Sequence, residues 1–174
     1  AAINRASGKV GVQVDEAGQE GVRKAGDAIS KVYDDALGQI TGVQLDNTFN
    51  SQLGQLRGMA QGLTDSMQAK FNTAIDQTLL RKVSRAGSIL PDDYKAIDSE
   101  LGNLAGRYGK SQVASEQELG DAVKQLQALL RDQMGRSNPK VAGLLKEADE
   151  AWATLVRVEG AGRAAKNSPD QLFT

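Results

Sequence analysis

Residues 49–63 read FNSQLGQLRGMAQGL, and the spacing of their apolar side chains decides the fold class. Phe49, Leu53, Leu56, Ala60 and Leu63 follow one another at steps of three or four residues. Such steps place side chains in one stripe along an α-helix. The pattern recurs in five further stretches, at 22–40, 67–83, 94–108, 119–134 and 141–158. The sequence therefore predicts an all-α fold: an elongated antiparallel bundle of five or six amphipathic helices with a heptad-like, coiled-coil pattern. No stretch reads as a convincing series of strands.

Capping residues and helix breakers predict where the first three helices begin and end. A first helix is predicted from Glu16 to Leu37 or Ile40, with Gly42 as its stop. Asp46 and Thr64 are favoured N-cap types and predict helices over 47–62 and 65–83. These two helices either turn sharply at 62–64 or form one kinked rod.

Three further helices are predicted over 91–108, 115–136 and 139–166. Pro91 suits the first position of a helix, and Gly109 suits a helix stop. Ser115 and Glu118 have the spacing of a capping box. Asn138 is predicted to cap the last helix, which Pro139 begins. The short links after helices four and five favour antiparallel neighbours, so helices four to six are predicted to form one unit.

The domain organisation follows from these boundaries. Residues 1–15 are weakly patterned and predict a flexible N-terminal arm, and residues 16–174 predict one helical bundle domain. The chain begins with Ala1 and ends at Phe173-Thr174, and Thr is a favoured N-cap. We therefore expect it to be a fragment of a longer protein.

Composition excludes several kinds of site. The chain has no His and no Cys, so disulfides, thiolate metal sites and histidine catalysis are excluded. Its formal net charge of −1 argues against a specific nucleic-acid binder, which needs a surplus of Lys and Arg. The densest basic spot, Arg81-Lys82-Arg85, fits a helix C-terminus, with a phosphate contact as the alternative. No run of 18 apolar residues predicts a membrane span.

The carboxylates do not predict catalysis. A general acid needs a carboxyl group in a dry cleft, whereas Asp34-Asp35, Asp92-Asp93 and the Glu147–Glu150 group sit beside polar neighbours or at helix starts. No glycine loop for phosphate and no calcium-loop spacing is present. We predict no enzyme activity, no cofactor, no metal and no small-molecule substrate.

Helix-packing candidates are the residues that stand out instead. Gly54, Gly58 and Gly62 recur every four residues, although glycine costs up to about 1 kcal/mol inside a helix. They indicate close helix packing, a helix kept able to rearrange, or a tolerated solvent face. Trp152, the single tryptophan, fits a core anchor or a partner-facing hot spot.

Two segments resemble a known class of proteins. Ser137-Asn138-Pro139, followed by Leu144-Leu145, Ala151-Trp152, Leu155-Val156-Arg157 and Glu159, is one segment, and residues 29–37 (ISKVYDDAL) are the other. With the final Phe173-Thr174, they resemble parts of large virion proteins of tailed phages and prophages. The resemblance spans roughly residues 16–174.

The resemblance implies a structural, internal-virion or DNA-ejection role, with localisation in the virion and, after ejection, the host cell envelope. It implies partners among other virion proteins or copies of the chain, with transient membrane contact. It carries no catalytic residue. The alternatives are a helical appendage of a murein hydrolase and a bacterial helical adaptor or effector domain.

Overall fold

Residues 19–166 form six helices and one two-stranded sheet in the computed structural model, which describes their backbone and the side chains of residues 20–160. Helix accounts for 82% of these residues, so the predicted all-α class is confirmed. The helices are α1 (Gln19–Leu37), α2 (Asn47–Ala60), α3 (Asp65–Thr73), α4 (Pro91–Gly109), α5 (Ala114–Ser137) and α6 (Pro139–Lys166). The strands are β1 (Val43–Gln44) and β2 (Ser88–Ile89). The predicted arm at 1–15 lies outside the described residues.

Two predicted N-caps are confirmed, one at the start of α2 and one at the start of α3. The backbone N–H of Phe49 donates to Asp46 Oδ1 over 2.8 Å, and that of Met67 donates to Thr64 Oγ1 over 3.4 Å. Each bond satisfies an N–H that has no partner inside its helix. The chain turns at residues 61–64, so a sharp turn and not a kinked rod joins the two helices.

Two predicted helix signals are wrong. α1 ends at Leu37, one of its two predicted ends, but Gly42, with φ of +142°, lies in the segment that leads into β1 and does not stop the helix. α5 begins at Ala114, so Ser115 and Glu118 form no capping box. Instead the Ser111 hydroxyl donates to the Glu116 carboxylate and accepts from the N–H of Val113.

The sheet was not predicted. β1 and β2 pair antiparallel, with Val43 opposite Ile89 and Gln44 opposite Ser88. Gly87, just before β2, has φ of +79°, a conformation that glycine adopts without a steric penalty. Two-residue strands are too short to show alternation, so the sequence pattern carries no signal for them.

α3 continues into irregular helix. A π-helical stretch, Ala74–Leu79 (the π segment), follows it directly, and a 3₁₀ turn, Leu80–Lys82, ends the run. Ile75 and Leu79 are buried, as the predicted stripe requires. The wider π-helical turn changes which residues face the core, because it adds one residue to the turn.

The chain divides into two compact units. The central unit covers residues 40–139, and the described part of the terminal unit covers residues 19–39 and 140–166. In the central unit, α4 and α5 pack along each other, and the core contains Phe49, Phe71, Ile75, Leu101, Leu126 and Leu130. The prediction that helices four to six form one unit is wrong, because α6 from Lys140 onward groups with α1. The single bundle domain over 16–174 stays a prediction.

The described part of the terminal unit consists of α1 and α6. Its buried core is Ala25, Ile29, Ala148, Ala151 and Leu155. Tyr33 donates to the Asp149 carboxylate, whereas Gly26 lies near Trp152 and Leu155, so the two helices run antiparallel. Three alanines among five core residues allow the helix backbones to approach closely.

Candidate interaction sites

Two of the buried polar side chains of the central unit, Gln133 and Asn138, lie at the end of α5. Gln133, which is 1% exposed, accepts from the N–H of Asp46 over 3.0 Å and donates to Ser137 Oγ. Arg136 donates to both carboxylate oxygens of Asp46, over 3.0 and 3.2 Å. These bonds fasten the start of α2 to α5.

Asp46 is held ionised in this cluster. The hydrogen bonds from Arg136, helped by the N–H of Phe49, lower the pKa of Asp46 from 3.8 to about 2. A general acid needs the opposite shift. The cluster is therefore structural.

Asn138, at the link between α5 and α6, also joins distant parts of the chain by hydrogen bonds. Its Oδ1 accepts from the N–H and the hydroxyl of Thr41, each over 3.0 Å. Its Nδ2 donates to the carbonyls of Gly42, over 2.7 Å, and Met134, over 3.2 Å. Asn138 directly precedes α6, but its side chain bonds to Thr41 and Gly42, which lead into β1. The prediction that this side chain caps α6 is therefore wrong.

The predicted glycine stripe faces away from the described chain. Gly54, Gly58 and Gly62 are exposed, and a β-carbon at Gly54 or Gly58 would meet no atom within 4 Å. Packing of this stripe inside the described chain is therefore ruled out. As a surface for another molecule it stays a prediction.

The glycine that does pack closely is Gly120 on α5. A β-carbon there would lie 2.7 Å from the backbone nitrogen of Gly109 and 3.2 Å from the carbonyl oxygen of Ala105. Only glycine permits this approach of α5 to α4. The sequence pattern does not single out Gly120, because this glycine belongs to no repeat; its one signal is its place beside Leu119 in the apolar stripe.

Trp152 is not a core anchor. Its side chain is 46% exposed, and Val156, one turn further along α6, is 49% exposed. They directly follow the buried Ala151 and Leu155 in the sequence of α6. The apolar arc of α6 is therefore wider than α1 covers, and we call Trp152 and Val156 the Trp152 edge. Of the two interpretations of Trp152, the partner-facing one fits its exposure.

A groove in the central unit is the second candidate site. It has a volume of about 370 Å³ and lies between α3 with the π segment, α4 and α5. Ala74, Leu104, Leu119 and Val123 line its apolar part. Lys70 and Tyr108 mark one end, and we call it the Tyr108 groove. The groove has no signal in the sequence, because its lining residues come from separate helices.

No group of three or more acidic residues in the described part of the chain is arranged to hold a metal ion. The carboxylates that the sequence places in pairs are mostly exposed, as at Asp34, Asp35 and Glu150. None of the helices between residues 19 and 166 has the length and apolarity that crossing a membrane requires.

Comparison with known proteins adds no assignment. No protein-family model matches the chain, and no curated protein or solved structure shows significant similarity to it.

Proposed function

We propose that this chain is a non-catalytic helical scaffold that assembles through helix faces, and that its association surface is the Trp152 edge. The observation that carries the proposal is the exposure of Trp152 and Val156, at 46% and 49%, directly beside a buried core. Tryptophan is the residue type most enriched among energetically dominant interface residues. A helix that is apolar over a wider arc than one neighbour covers is suited to a second neighbour.

The setting that we propose is a phage virion. The likeness of residues 29–37 and 137–159 to segments of virion proteins supports a structural or DNA-ejection role. The partners would be other virion proteins or further copies of the chain, in the particle and then at the host envelope. Mass spectrometry of purified particles from the source strain tests this: finding the chain in capsid-containing fractions is expected, and its absence from them would contradict the virion setting.

Association is tested on the full chain by light scattering and by the fluorescence of Trp152, the only tryptophan. We expect concentration-dependent association that shields Trp152 from acrylamide. The double variant W152Q/V156Q should remain monomeric. Met59→Gln is the matched control, since Met59 is 65% exposed but lies on α2. If the chain associates with virion proteins and not with itself, the same variants apply to that complex. Association that W152Q/V156Q leaves unchanged would contradict the proposed surface.

The non-catalytic assignment has its own test. The rival assignment is a murein hydrolase appendage, and it predicts release of soluble fragments from purified peptidoglycan. We expect none, and turnover by the purified chain would overturn the assignment.

A further inference from the structure

The Tyr108 groove has the size of a small-molecule site. Its volume of about 370 Å³ falls in the usual range of roughly 300–1,000 Å³ for such sites.

The wall of the groove contains the irregular part of the fold. Ala74, Gln77 and Thr78 of the π segment line it, and Thr78 is only 5% exposed. π-helical insertions are uncommon and occur frequently at functional sites. The opposite walls present Leu104 of α4 and Val123 of α5, so a ligand would meet a largely apolar surface.

The two ends of the groove differ in charge. Lys70, which lines the groove, has its Nζ 5.7 Å from the centre of the Tyr108 ring. Arg107 stands outside the lining, but its Cζ lies 5.2 Å from the same ring centre, at the rim of this end. Glu100 lines the other end, eight residues earlier on α4, or about 12 Å along the helix axis. The groove therefore has a cationic end and an acidic end, separated by apolar side chains.

We propose that the Tyr108 groove binds a single-chain carboxylate amphiphile, with the carboxylate at the Lys70–Arg107 end and the chain along Leu104 and Val123. Ammonium and guanidinium groups form strong charge-assisted hydrogen bonds to a carboxylate. Glu100 repels a carboxylate at the other end and so fixes the orientation. This proposal is independent of the association surface at the Trp152 edge.

Calorimetric titration of the full chain with decanoate, below its micelle-forming concentration, tests the proposal. Decanol and decyltrimethylammonium serve as neutral and cationic probes of the same chain length. We expect decanoate to bind at least tenfold more tightly than either. In the double variant K70Q/R107Q, decanoate affinity should fall at least tenfold and decanol affinity should stay within twofold. R81Q/K124Q, which removes two other exposed cations, is the control for net charge.

A second pair of variants locates the ligand. Ala69 and Ala96 are both exposed helix residues, but only Ala69 lines the groove. Ala69→Phe should abolish decanoate binding, and Ala96→Phe should leave it unchanged. The proposal is overturned if decanoate does not bind, if the cationic probe binds equally well, or if both phenylalanine variants bind alike.

Discussion

Asn138 and Thr41 are joined by two hydrogen bonds, although they lie 97 residues apart in sequence. The Asn138 side chain also donates to the Gly42 carbonyl, so it holds the chain entering β1 against the end of α5. Asn138 is 7% exposed, and loss of its amide would remove the hydrogen bonds of the partly buried Thr41 and Gly42 backbone groups.

Asn138→Ala is therefore expected to lower the free energy of unfolding by about 1–3 kcal/mol. Asn138→Asp should be at least as harmful, because a carboxylate loses both donors and faces the carbonyls of Gly42 and Met134. Urea denaturation followed by circular dichroism measures both. Asn103→Ala, at an exposed position of α4, is the control and should change stability little. Equal effects at the two positions would show that the Asn138 bonds do not stabilise the fold.

The lowered pKa of Asp46 should make the free energy of unfolding depend on pH. Its pKa falls from 3.8 to about 2 in the folded chain, so the unfolded state binds the proton more readily. The stabilisation is therefore fully present above about pH 4 and is lost as the pH falls through 2. Asp46→Asn keeps a good N-cap residue but removes the ion pair with Arg136.

We expect the D46N variant to be less stable than the wild type at pH 7, with most of this difference gone at pH 2. Urea denaturation between these pH values tests the expectation. Asp121→Asn removes one exposed negative charge from α5 and controls for net charge. A gap between wild type and D46N that persists unchanged at pH 2 would disprove the role given to the Arg136 contact.

Replacement of glycine by alanine should have opposite effects on stability at Gly120 and at Gly106. Gly120→Ala would place a β-carbon 2.7 Å from the Gly109 backbone, so α4 and α5 must move apart. We expect a loss of about 1–3 kcal/mol, as for other overpacked cores. At Gly106 a β-carbon meets no atom within 4 Å, and alanine should stabilise the helix by up to about 1 kcal/mol. Thermal unfolding of both variants checks the signs, and a stabilised G120A would contradict the observed packing.

The helices and most of their core were predictable because the relevant signals are local. Stripes such as Leu119, Val123 and Leu126 need only helical periodicity, and all three residues are buried. The caps at Asp46 and Thr64 bond to backbone groups three residues away. An amphipathic pattern also fixes which side of each helix is buried, since only one side is apolar.

What the sequence did not predict depends on distant contacts. β1 and β2 pair across more than 40 residues, from Val43 to Ile89. The partners of Asn138 are near residue 41. Trp152 lies on the periodic stripe of α6, yet it is half exposed beside its antiparallel neighbour α1. Periodicity shows which residues share a face and does not show how many neighbours cover it.

The outward glycine stripe offers a final test that separates two association surfaces. Gly54 and Gly58 face open space, so the double variant G54L/G58L should fit without strain. Leucine is a better helix former than glycine, and we expect the monomer to gain about 1–2 kcal/mol. Because we place association at the Trp152 edge, light scattering should show that this variant associates as the wild type does. A variant that is more stable as a monomer but no longer associates would instead identify the glycine stripe as the interface, since leucine there blocks close helix approach.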